Sequence, residues 1–372
     1  MEVPFVDLKA QYRLIAQEID RAISDVISKT AFIGGYFTKE FEKAFCHYLG
    51  VSHCVGVGNG TDALYIALRS LGVGQGDEVI TVANSFVATS EAITMTGAKV
   101  IFVDCDPVFY NIDLKKVENA ITSKTKAIIP VHLYGMPVDM PTLMEIARKY
   151  ELIVVEDAAQ AHGARIGERK VGTWGHAACF SFYPGKNLGA YGDAGAIVTN
   201  DEALAVYARM LANHGRVEKY DHEFEGVNSR MDGIQAAVLS VKLKYLDEWN
   251  EKRRLNAKCY TEQLKSTGII VPKEDDSIYN VYHLYVIRVG NRDEVREHLK
   301  RKGISTGIHY PVALPNLTAY KYLGHRPEDF PIATRFSKQI LSLPMYPELG
   351  EDQLNYVCEE LKKVAIPIEE EL

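Results

Sequence analysis

The sequence predicts an α/β protein with a mainly parallel sheet covered by helices on both faces, followed by a smaller α+β unit. Between about residues 50 and 200, short β-branched runs alternate with segments of helical periodicity. Such strand–helix–strand repetition favours parallel strands joined by crossover helices. After Asn228 the alternation stops, and a long segment with helical periodicity begins. These two observations together indicate the fold class.

The strands of the predicted sheet are short apolar runs, and helical segments lie between them. The strands are HCVGVG (53–58), EVITVA (78–83), KVIFVD (99–104), KAIIPVH (126–132) and LIVVED (152–157). The helices include TDALYIALRSLG (61–72), VATSEAITMTG (87–97) and MPTLMEIARKY (140–150). Two further apolar runs, AACFSFY (177–183) and GAIVTN (195–200), have only a loop between them. The pattern leaves open whether these two strands pair antiparallel or lie apart in the sheet.

The C-terminal part begins with a stretch that is predicted to form one long helix or two abutting helices, over residues 231–268. A strand (YHLYVIRV, 282–289), a helix (RDEVREHLKRKG, 292–303) and a final helix (EDQLNYVCEELKKV, 351–364) are predicted beyond it. We therefore expect a large domain over residues 1–245 and a smaller C-terminal domain over residues 246–372.

Composition excludes several classes of protein. The 372 residues are 47% hydrophobic and 24% charged, with a formal net charge of -7, so no basic face for nucleic acid is indicated. The six cysteines include no CxxC pair, which argues against a zinc site or a dithiol redox site. The N-terminus lacks a signal-peptide pattern, and no apolar run reaches the roughly 18 residues of a membrane span. We therefore expect a soluble, cytoplasmic protein without a metal.

The segment GNGTDA (58–63) follows a strand and opens a helix. Glycines and free N–H groups at a helix N-terminus favour phosphate binding. The segment also fits the dinucleotide fingerprint, but that interpretation needs an acidic residue near the end of the next strand. That strand ends in TVANSF, without Asp or Glu, so the nicotinamide interpretation fails. The alternative is a tight turn with Asn59 or Thr61 as the helix N-cap.

Two further residues that could carry chemistry follow predicted strands. Asp157 ends an apolar strand in VVEDAAQAHGA (154–164), and Lys186 follows a later strand in FSFYPGKNLGA (180–190). An amine in a low-dielectric pocket becomes a nucleophile that can form a Schiff base. Pyridoxal phosphate needs such a lysine, an aspartate against its ring nitrogen and a phosphate cradle. The alternatives are a helix cap for Asp157 and a solvated loop charge for Lys186.

Six segments of the chain, in order, resemble the sugar aminotransferases of the DegT/DnrJ/EryC1/StrS family over essentially the whole length. They are PFVDLKAQY, GNGTDAL, VVEDAAQAHGA, FSFYPGKNLGAYGDAGAI, NSRMDGIQAAVL and GIHYPV. The resemblance implies the fold of aspartate aminotransferase, fold type I of the pyridoxal phosphate enzymes, with pyridoxal 5′-phosphate as cofactor.

The resemblance also implies roles for individual residues. Lys186 would form the Schiff base with the cofactor and later move protons, while Asp157 would pair with the ring nitrogen. The remaining cofactor contacts would be Gln160 to the phenolic oxygen, Phe86 stacked on the ring, and Gly60, Thr61 and Ser181 around the phosphate. Asn228 would reach the phosphate of the neighbouring subunit, which implies an obligate homodimer with shared active sites.

The implied reaction transfers an amino group from glutamate to a nucleotide-linked keto sugar, in a ping-pong sequence. The loop LGAYGDAGA after Lys186 resembles family members that aminate C-3 of a dTDP-3-keto-6-deoxyhexose, rather than those with TTGEGG that aminate C-4. Tyr183, His309 and Tyr310 are candidate sugar contacts, because their uncharged groups both donate and accept hydrogen bonds. Lys219, with Arg216, could reach a diphosphate across the dimer, or could simply be solvated.

Three alternatives remain. The same chemistry could act on a 4-keto nucleotide sugar or on a keto-inositol, or the protein could bind pyridoxal phosphate without catalysis. Some family members are dehydratases in which histidine replaces the Schiff-base lysine. Lys186 therefore favours amino transfer over dehydration.

Overall fold

The computed structural model describes residues 1–368 and has the predicted alternation of strands and helices. The helices of this range are α1 (Leu8–Ser28), α2 (Gly35–Leu49), α3 (Gly60–Ser70), α4 (Val87–Met95), α5 (Leu114–Ala120), α6 (Met140–Lys149), α7 (Glu202–Leu211), α8 (Gly233–Lys242), α9 (Leu246–Leu264), α10 (Arg292–Arg301), α11 (Pro331–Gln339) and α12 (Glu351–Lys362). The strands are β1 (His53–Val57), β2 (Glu78–Val82), β3 (Lys99–Val103), β4 (Thr125–Ile129), β5 (Ile153–Asp157), β6 (Arg165–Ile166), β7 (Arg169–Lys170), β8 (Ala177–Ser181), β9 (Gly195–Thr199), β10 (Arg216–Glu218), β11 (Asp221–His222), β12 (Ile278–Tyr279), β13 (Tyr285–Arg288) and β14 (Ile340–Leu343).

Local sequence explains where the helices of the α/β part begin. Side-chain oxygens of residues just before the helices cap free backbone N–H groups: Asn59 accepts from Asp62 N at the start of α3, and Asp139 accepts from Thr142 N at the start of α6. α6 also has a proline in its first turn, where a missing N–H costs nothing.

Seven strands form the main sheet in the order β1-β9-β8-β5-β4-β2-β3. β2, β3, β4, β5 and β8 pair in parallel, whereas β9 runs antiparallel to both β1 and β8. The two apolar runs whose pairing the sequence left open are thus antiparallel neighbours, with Ala178 opposite Val198. Within this seven-stranded sheet, every strand except β9 runs in the same direction. The carboxyl ends of these six strands therefore lie at one edge of the sheet.

The long helical stretch forms two helices, α8 and α9, with a single 3₁₀ turn at Leu243–Tyr245 between them. Beyond this turn, β13 and β14 pair antiparallel and pack with α9, α10 and α12 around a separate apolar cluster. Val3, near the N-terminus, belongs to this cluster and pairs with Ile304. The division into domains at residues 245 and 246 remains a proposal, and the last four residues of the second domain lie outside the described range.

Among residues 1–368, no helix combines the length and apolar character required to cross a bilayer. In the same range, no group of three or more His, Cys, Asp or Glu side chains is arranged to hold a metal ion.

Candidate active site

The carboxyl ends of three parallel strands carry most of the predicted cofactor residues, though not Asn228. β5 ends at Asp157, β8 ends at Ser181 and leads into the Lys186 loop, and β2 leads through Phe86 into α4. α3 begins at Gly60, immediately after β1. Ligand sites of open α/β sheets lie in this position, beyond the carboxyl ends of the strands.

Lys186 lies in a tight loop between β8 and β9. The loop is closed by two backbone hydrogen bonds, from Lys186 N to Tyr183 O (2.8 Å) and from Ala190 N to Phe182 O (2.7 Å). Burial lowers the pKa of the Lys186 amine to about 8, against the opposing effect of the Asp157 carboxylate. A larger share of this amine is therefore neutral and nucleophilic at neutral pH than in a solvated lysine.

Asp157 is 6% exposed, and a hydroxyl and a backbone amide hold its carboxylate. Thr89 Oγ1 donates to Oδ2 (2.7 Å), and Ala159 N donates to Oδ1 (3.2 Å). Burial raises the pKa of Asp157, although these two hydrogen bonds and the positive charge of Lys186 oppose the rise. A buried carboxylate in this state is stabilised by a cationic N–H partner.

The start of α3 packs closely against the end of β8. A Cβ atom added at Gly60 would lie 2.6 Å from Ser181 Cβ, so only glycine permits this approach. Asn59 caps Asp62 N, while the N–H groups of Gly60 and Thr61 donate no hydrogen bond within residues 1–368. The Asn59 N-cap is therefore confirmed, and the two N–H groups beside it remain available to an anion, so phosphate binding stays a prediction.

Gln160, Tyr310 and Phe86 are in contact. Gln160 Oε1 accepts from Tyr134 N (2.7 Å), and its Nε2 donates to the Tyr310 hydroxyl (3.1 Å). The Phe86 ring is 53% exposed and lies 5.6 Å from the Tyr310 ring, centroid to centroid. An exposed aromatic face at a strand end is suited to stacking on a planar ligand.

His309 is packed rather than free in solvent. Its ring stacks on Phe5 (5.7 Å between centroids), and its Nδ1 lies 2.8 Å from Ser342 Oγ. Burial, assisted by the positive charge of Lys186, lowers the pKa of His309 to about 4, so the ring is neutral at pH 7. Tyr183 lies beside the Lys186 loop with a 60% exposed side chain.

For the remaining two predicted residues, Lys219 and Asn228, the structure of residues 1–368 shows no hydrogen bond or ion pair with Asp157 or Lys186. Lys219 lies in the exposed turn between β10 and β11, with its ammonium 5.5 Å from the centre of the Tyr220 ring. Asn228 has an exposed side chain, and its backbone pairs with Asn213. The next residue, Ser229, accepts a hydrogen bond at Oγ from Gly58 N (3.0 Å), so this segment begins beside the predicted phosphate site.

For several residues near the site, no role was predicted from the sequence. Thr89, one turn into α4, could have been found as a hydroxyl shortly after a strand end. His162 is fully buried between the rings of Phe180 and Phe182, and burial lowers its pKa to about 3. The Nδ1 atom of His283, a residue from the C-terminal part, lies 3.1 Å from Asn187 Oδ1. No local pattern signals this last contact.

Glu156, next to Asp157, has a structural role that the sequence did not indicate. Its fully buried carboxylate accepts hydrogen bonds from the backbone N–H groups of Gly172, Trp174 and Gly175, and lies 3.1 Å from His132 Nε2. Burial alone would raise the pKa of Glu156, but these partners lower it. Alternating side-chain directions along β5 thus send one carboxylate into the core and the next toward the site.

The residues present fit pyridoxal phosphate. The N–H groups of Gly60 and Thr61 have no hydrogen-bond partner within residues 1–368, Asp157 is a buried carboxylate suited to a cationic ring nitrogen, and Lys186 is an amine whose pKa burial lowers. Phe86 adds an exposed aromatic face. This set can bind an anionic aromatic aldehyde and move protons next to it.

Comparison with known proteins finds one family that matches nearly the whole chain. The sequence profile of the DegT/DnrJ/EryC1/StrS aminotransferase family matches residues 13–362. A protein of Geobacillus stearothermophilus named pleiotropic regulatory protein is 48% identical, over 97% of this chain and 98% of its own. A dTDP-3-amino-3,6-dideoxy-α-D-galactopyranose transaminase of Aneurinibacillus thermoaerophilus is 43% identical, over 97% and 99%.

A solved structure extends this similarity to the fold. The crystal structure of DesV from S. venezuelae, in complex with a ketimine intermediate, superposes with a TM-score of 0.95. The two chains are 44% identical, and the match covers 97% of this chain and 98% of that one.

Proposed function

Because the chain belongs to the DegT/DnrJ/EryC1/StrS aminotransferase family, we propose that it transfers an amino group from glutamate to C-3 of a dTDP-3-keto-6-deoxyhexose. The cofactor is pyridoxal 5′-phosphate, as the family and the neighbouring structure indicate. The product would be an amino-dideoxy sugar nucleotide.

One observation carries the proposal. Lys186 lies at the carboxyl end of β8 with its pKa lowered to about 8, and the buried Asp157 carboxylate ends the neighbouring strand β5. If Lys186 were only a solvated loop charge, burial would not lower its pKa. If Asp157 were only a helix cap, its carboxylate would not be buried in this way. The pair has the properties that a Schiff-base lysine and its companion carboxylate need.

The residues of this chain that would hold the cofactor come from four segments. Gly60, Thr61 and Ser181 would bind its phosphate, and Phe86 would cover one face of its ring. Asp157 would accept a hydrogen bond from the ring nitrogen. Gln160 would donate to the phenolic oxygen, because its amide has two donors and Tyr310 takes only one of them.

The Lys186 amine would be both the attachment point and the proton carrier. Pyridoxal phosphate supplies, when bound, a carbonyl for the amine and a ring that accepts electron density from the substrate carbon. Lys186 Nζ, once free of the cofactor, would take the proton from the α-carbon of glutamate and deliver it on the cofactor side. With the keto sugar it would move a proton in the opposite direction, which completes the exchange of amino and keto groups.

The sugar would bind against Tyr183, His309 and Tyr310. The neutral His309 ring and the tyrosine hydroxyls suit an uncharged deoxysugar. Amination at C-3 is supported by the relative that forms dTDP-3-amino-3,6-dideoxygalactose and by the Lys186–Gly195 loop, which lacks the TTGEGG of the C-4 enzymes.

The regiochemistry can be followed through the visible absorbance of the cofactor. The protein is converted to its aminated cofactor form with glutamate, and dTDP-3-keto- and dTDP-4-keto-6-deoxyhexoses are then added separately. We expect the yellow colour of the lysine-bound cofactor to return with the 3-keto sugar only. The Lys186→Ala variant, treated in the same way, is the control for colour that arises without enzyme chemistry.

Each other outcome of this experiment has a definite meaning. Colour with the 4-keto sugar only would retain the amino transfer and overturn the C-3 proposal. If neither nucleotide sugar restores the colour and a keto-inositol added in a third run does, the substrate belongs to another class. An absence of amino transfer from glutamate and other donors would leave a pyridoxal phosphate-binding protein without catalysis.

We also propose that the protein is a homodimer in which Asn228 of each subunit completes the other subunit's phosphate site, and Lys219 reaches the diphosphate there. In support, the side chains of Asn228 and Lys219 are exposed in the single chain, and the neighbouring Ser229 accepts a hydrogen bond from Gly58 N, two residues before Gly60. We further propose that residues 1–245 form the cofactor-binding domain and 246–372 the smaller domain.

Subunit complementation tests the shared site. Asn228→Ala and Lys186→Ala chains, each inactive alone, are co-expressed with different tags. Half of the randomly formed dimers are hybrids, and each hybrid has one site with both Lys186 and the partner's asparagine. We expect about a quarter of the native specific activity. If Asn228 served its own subunit, both sites of every hybrid would lack one residue and the mixture would be inactive.

A further inference from the structure

The loop that carries Lys186 is held from outside by the helices α8 and α9. Gln235 Oε1, on α8, accepts from Tyr191 N (2.9 Å), and Asn250 Oδ1, on α9, accepts from Asn187 Nδ2 (2.8 Å). Between these two points, Lys242 Nζ donates to the carbonyl oxygen of Gly189 (2.8 Å). The loop is therefore attached at three successive places after Lys186.

Lys242 is an unusual residue for this position, since it is only 1% exposed and its ammonium lies 4.3 Å from the centre of the Tyr191 ring. Burial lowers the pKa of its amine to about 7, and the Glu348 carboxylate only partly opposes this shift. An ammonium is costly to bury, whereas leucine or methionine would fill the same space without that cost. Packing alone thus does not account for a lysine here.

Gly189 packs tightly within the same loop as Lys186. A Cβ atom at Gly189 would lie 2.3 Å from the carbonyl oxygen of Pro184, so the loop folds back on itself without free space. The hydrogen bonds that close it, at Lys186 N and Ala190 N, lie on either side of this contact. A shift of Gly189 toward Pro184 would therefore be passed on to the segment that carries Lys186.

We propose that Lys242 is a positioning residue for the amino transfer: it fixes the Lys186 loop through the Gly189 carbonyl and so keeps the Lys186 amine desolvated in front of Asp157. The proposal rests on the function proposed for Lys186, but the position of the loop and the desolvation of the amine can be measured in the cofactor-free chain. Lys242 touches neither substrate nor cofactor in this scheme.

The test compares Lys242→Met with Thr81→Val in the cofactor-free protein. Thr81 on β2 is fully buried and donates to the Ile129 carbonyl (2.9 Å), so its replacement also removes a buried donor to a carbonyl, away from the Lys186 loop. Hydrogen exchange of the amides of residues 183–191 is measured. The second measurement labels Lys186 with a small amine-reactive reagent over a range of pH. Mass spectrometry then gives the pH at which labelling is half-maximal. The groups around Lys186 (Asp157, His162, His283 and His309) and around Lys242 (Tyr191 and Glu348) are unchanged in both variants.

In Lys242→Met we expect the 183–191 amides to exchange about ten times faster and the labelling midpoint of Lys186 to rise by at least one pH unit. Thr81→Val should change neither. Equal behaviour of the two variants would overturn the proposal. If Lys242→Met does not fold, Lys242→Gln, with an uncharged amide one atom shorter, replaces it under the same two criteria. Neither measurement needs turnover, so a failure of the proposed aminotransferase function would be seen separately.

Discussion

Replacing Lys186 by alanine is expected to lower the rate of amino transfer by at least about 10⁴-fold, the upper range for loss of a positioned proton carrier, because the attachment point is lost with it. The backbone hydrogen bonds that close the loop, from Lys186 N and Ala190 N, do not involve the side chain and remain, so the fold should persist. Steady-state assays with glutamate and the keto sugar measure the loss. Borohydride reduction should fix the cofactor on the Lys186 peptide of the native protein and on no peptide of the variant.

Lys170→Ala is the matched control for the Lys186 replacement. Lys170 is also a partly buried lysine whose pKa burial lowers, but it lies on β7, away from the ends of β5 and β8. Activity within a few-fold of native is expected for this variant. Wild-type-like transamination by Lys186→Ala would refute the assignment of Lys186.

Replacing Asp157 by asparagine is expected to reduce activity by about 10²–10³-fold, the usual effect of removing one well-placed electrostatic partner. Asparagine has the same shape and can still accept from Thr89 Oγ1, but it has no charge to keep a ring nitrogen protonated. Steady-state kinetics measure the activity, and thermal unfolding verifies that the variant is folded. A fall in kcat without a matching fall in cofactor affinity would be the characteristic result.

Thr89→Val separates the charge of Asp157 from its hydrogen bond. This variant keeps the carboxylate and removes the 2.7 Å bond from Thr89 Oγ1. We expect a smaller loss of activity than in Asp157→Asn. Equal losses in the two variants would mean that the position of the carboxylate, rather than its charge, is what matters.

Much of the fold and the identity of the candidate residues could be predicted from the sequence, because the signals are local. β-branched runs of strand length and helical periods between them follow from neighbouring residues, and they place Asp157 and the Lys186 loop after strands. The glycines and the Asn59 cap of GNGTDA are likewise read within a few residues. The resemblance of six ordered segments supplied the family and hence the roles.

The contacts that give these residues their properties are not local. The Gln160–Tyr310 and His283–Asn187 contacts join residues that lie 150 and 96 positions apart, and no short pattern predicts either. The antiparallel pairing of β9 with β1 and β8 depends on the whole sheet. The close packing of Gly60 on Ser181 also depends on the whole sheet, because the two residues belong to separate elements, α3 and β8.

The sequence by itself therefore determined the fold class, the positions of the lysine and the aspartate relative to the strands, and the family. Only the tertiary structure decided that the Lys186 amine is desolvated enough for its pKa to fall to about 8, and that Lys242 holds the loop from behind. The physical reason is that desolvation is set by all the atoms around a group, and those atoms come from elements distant in the chain.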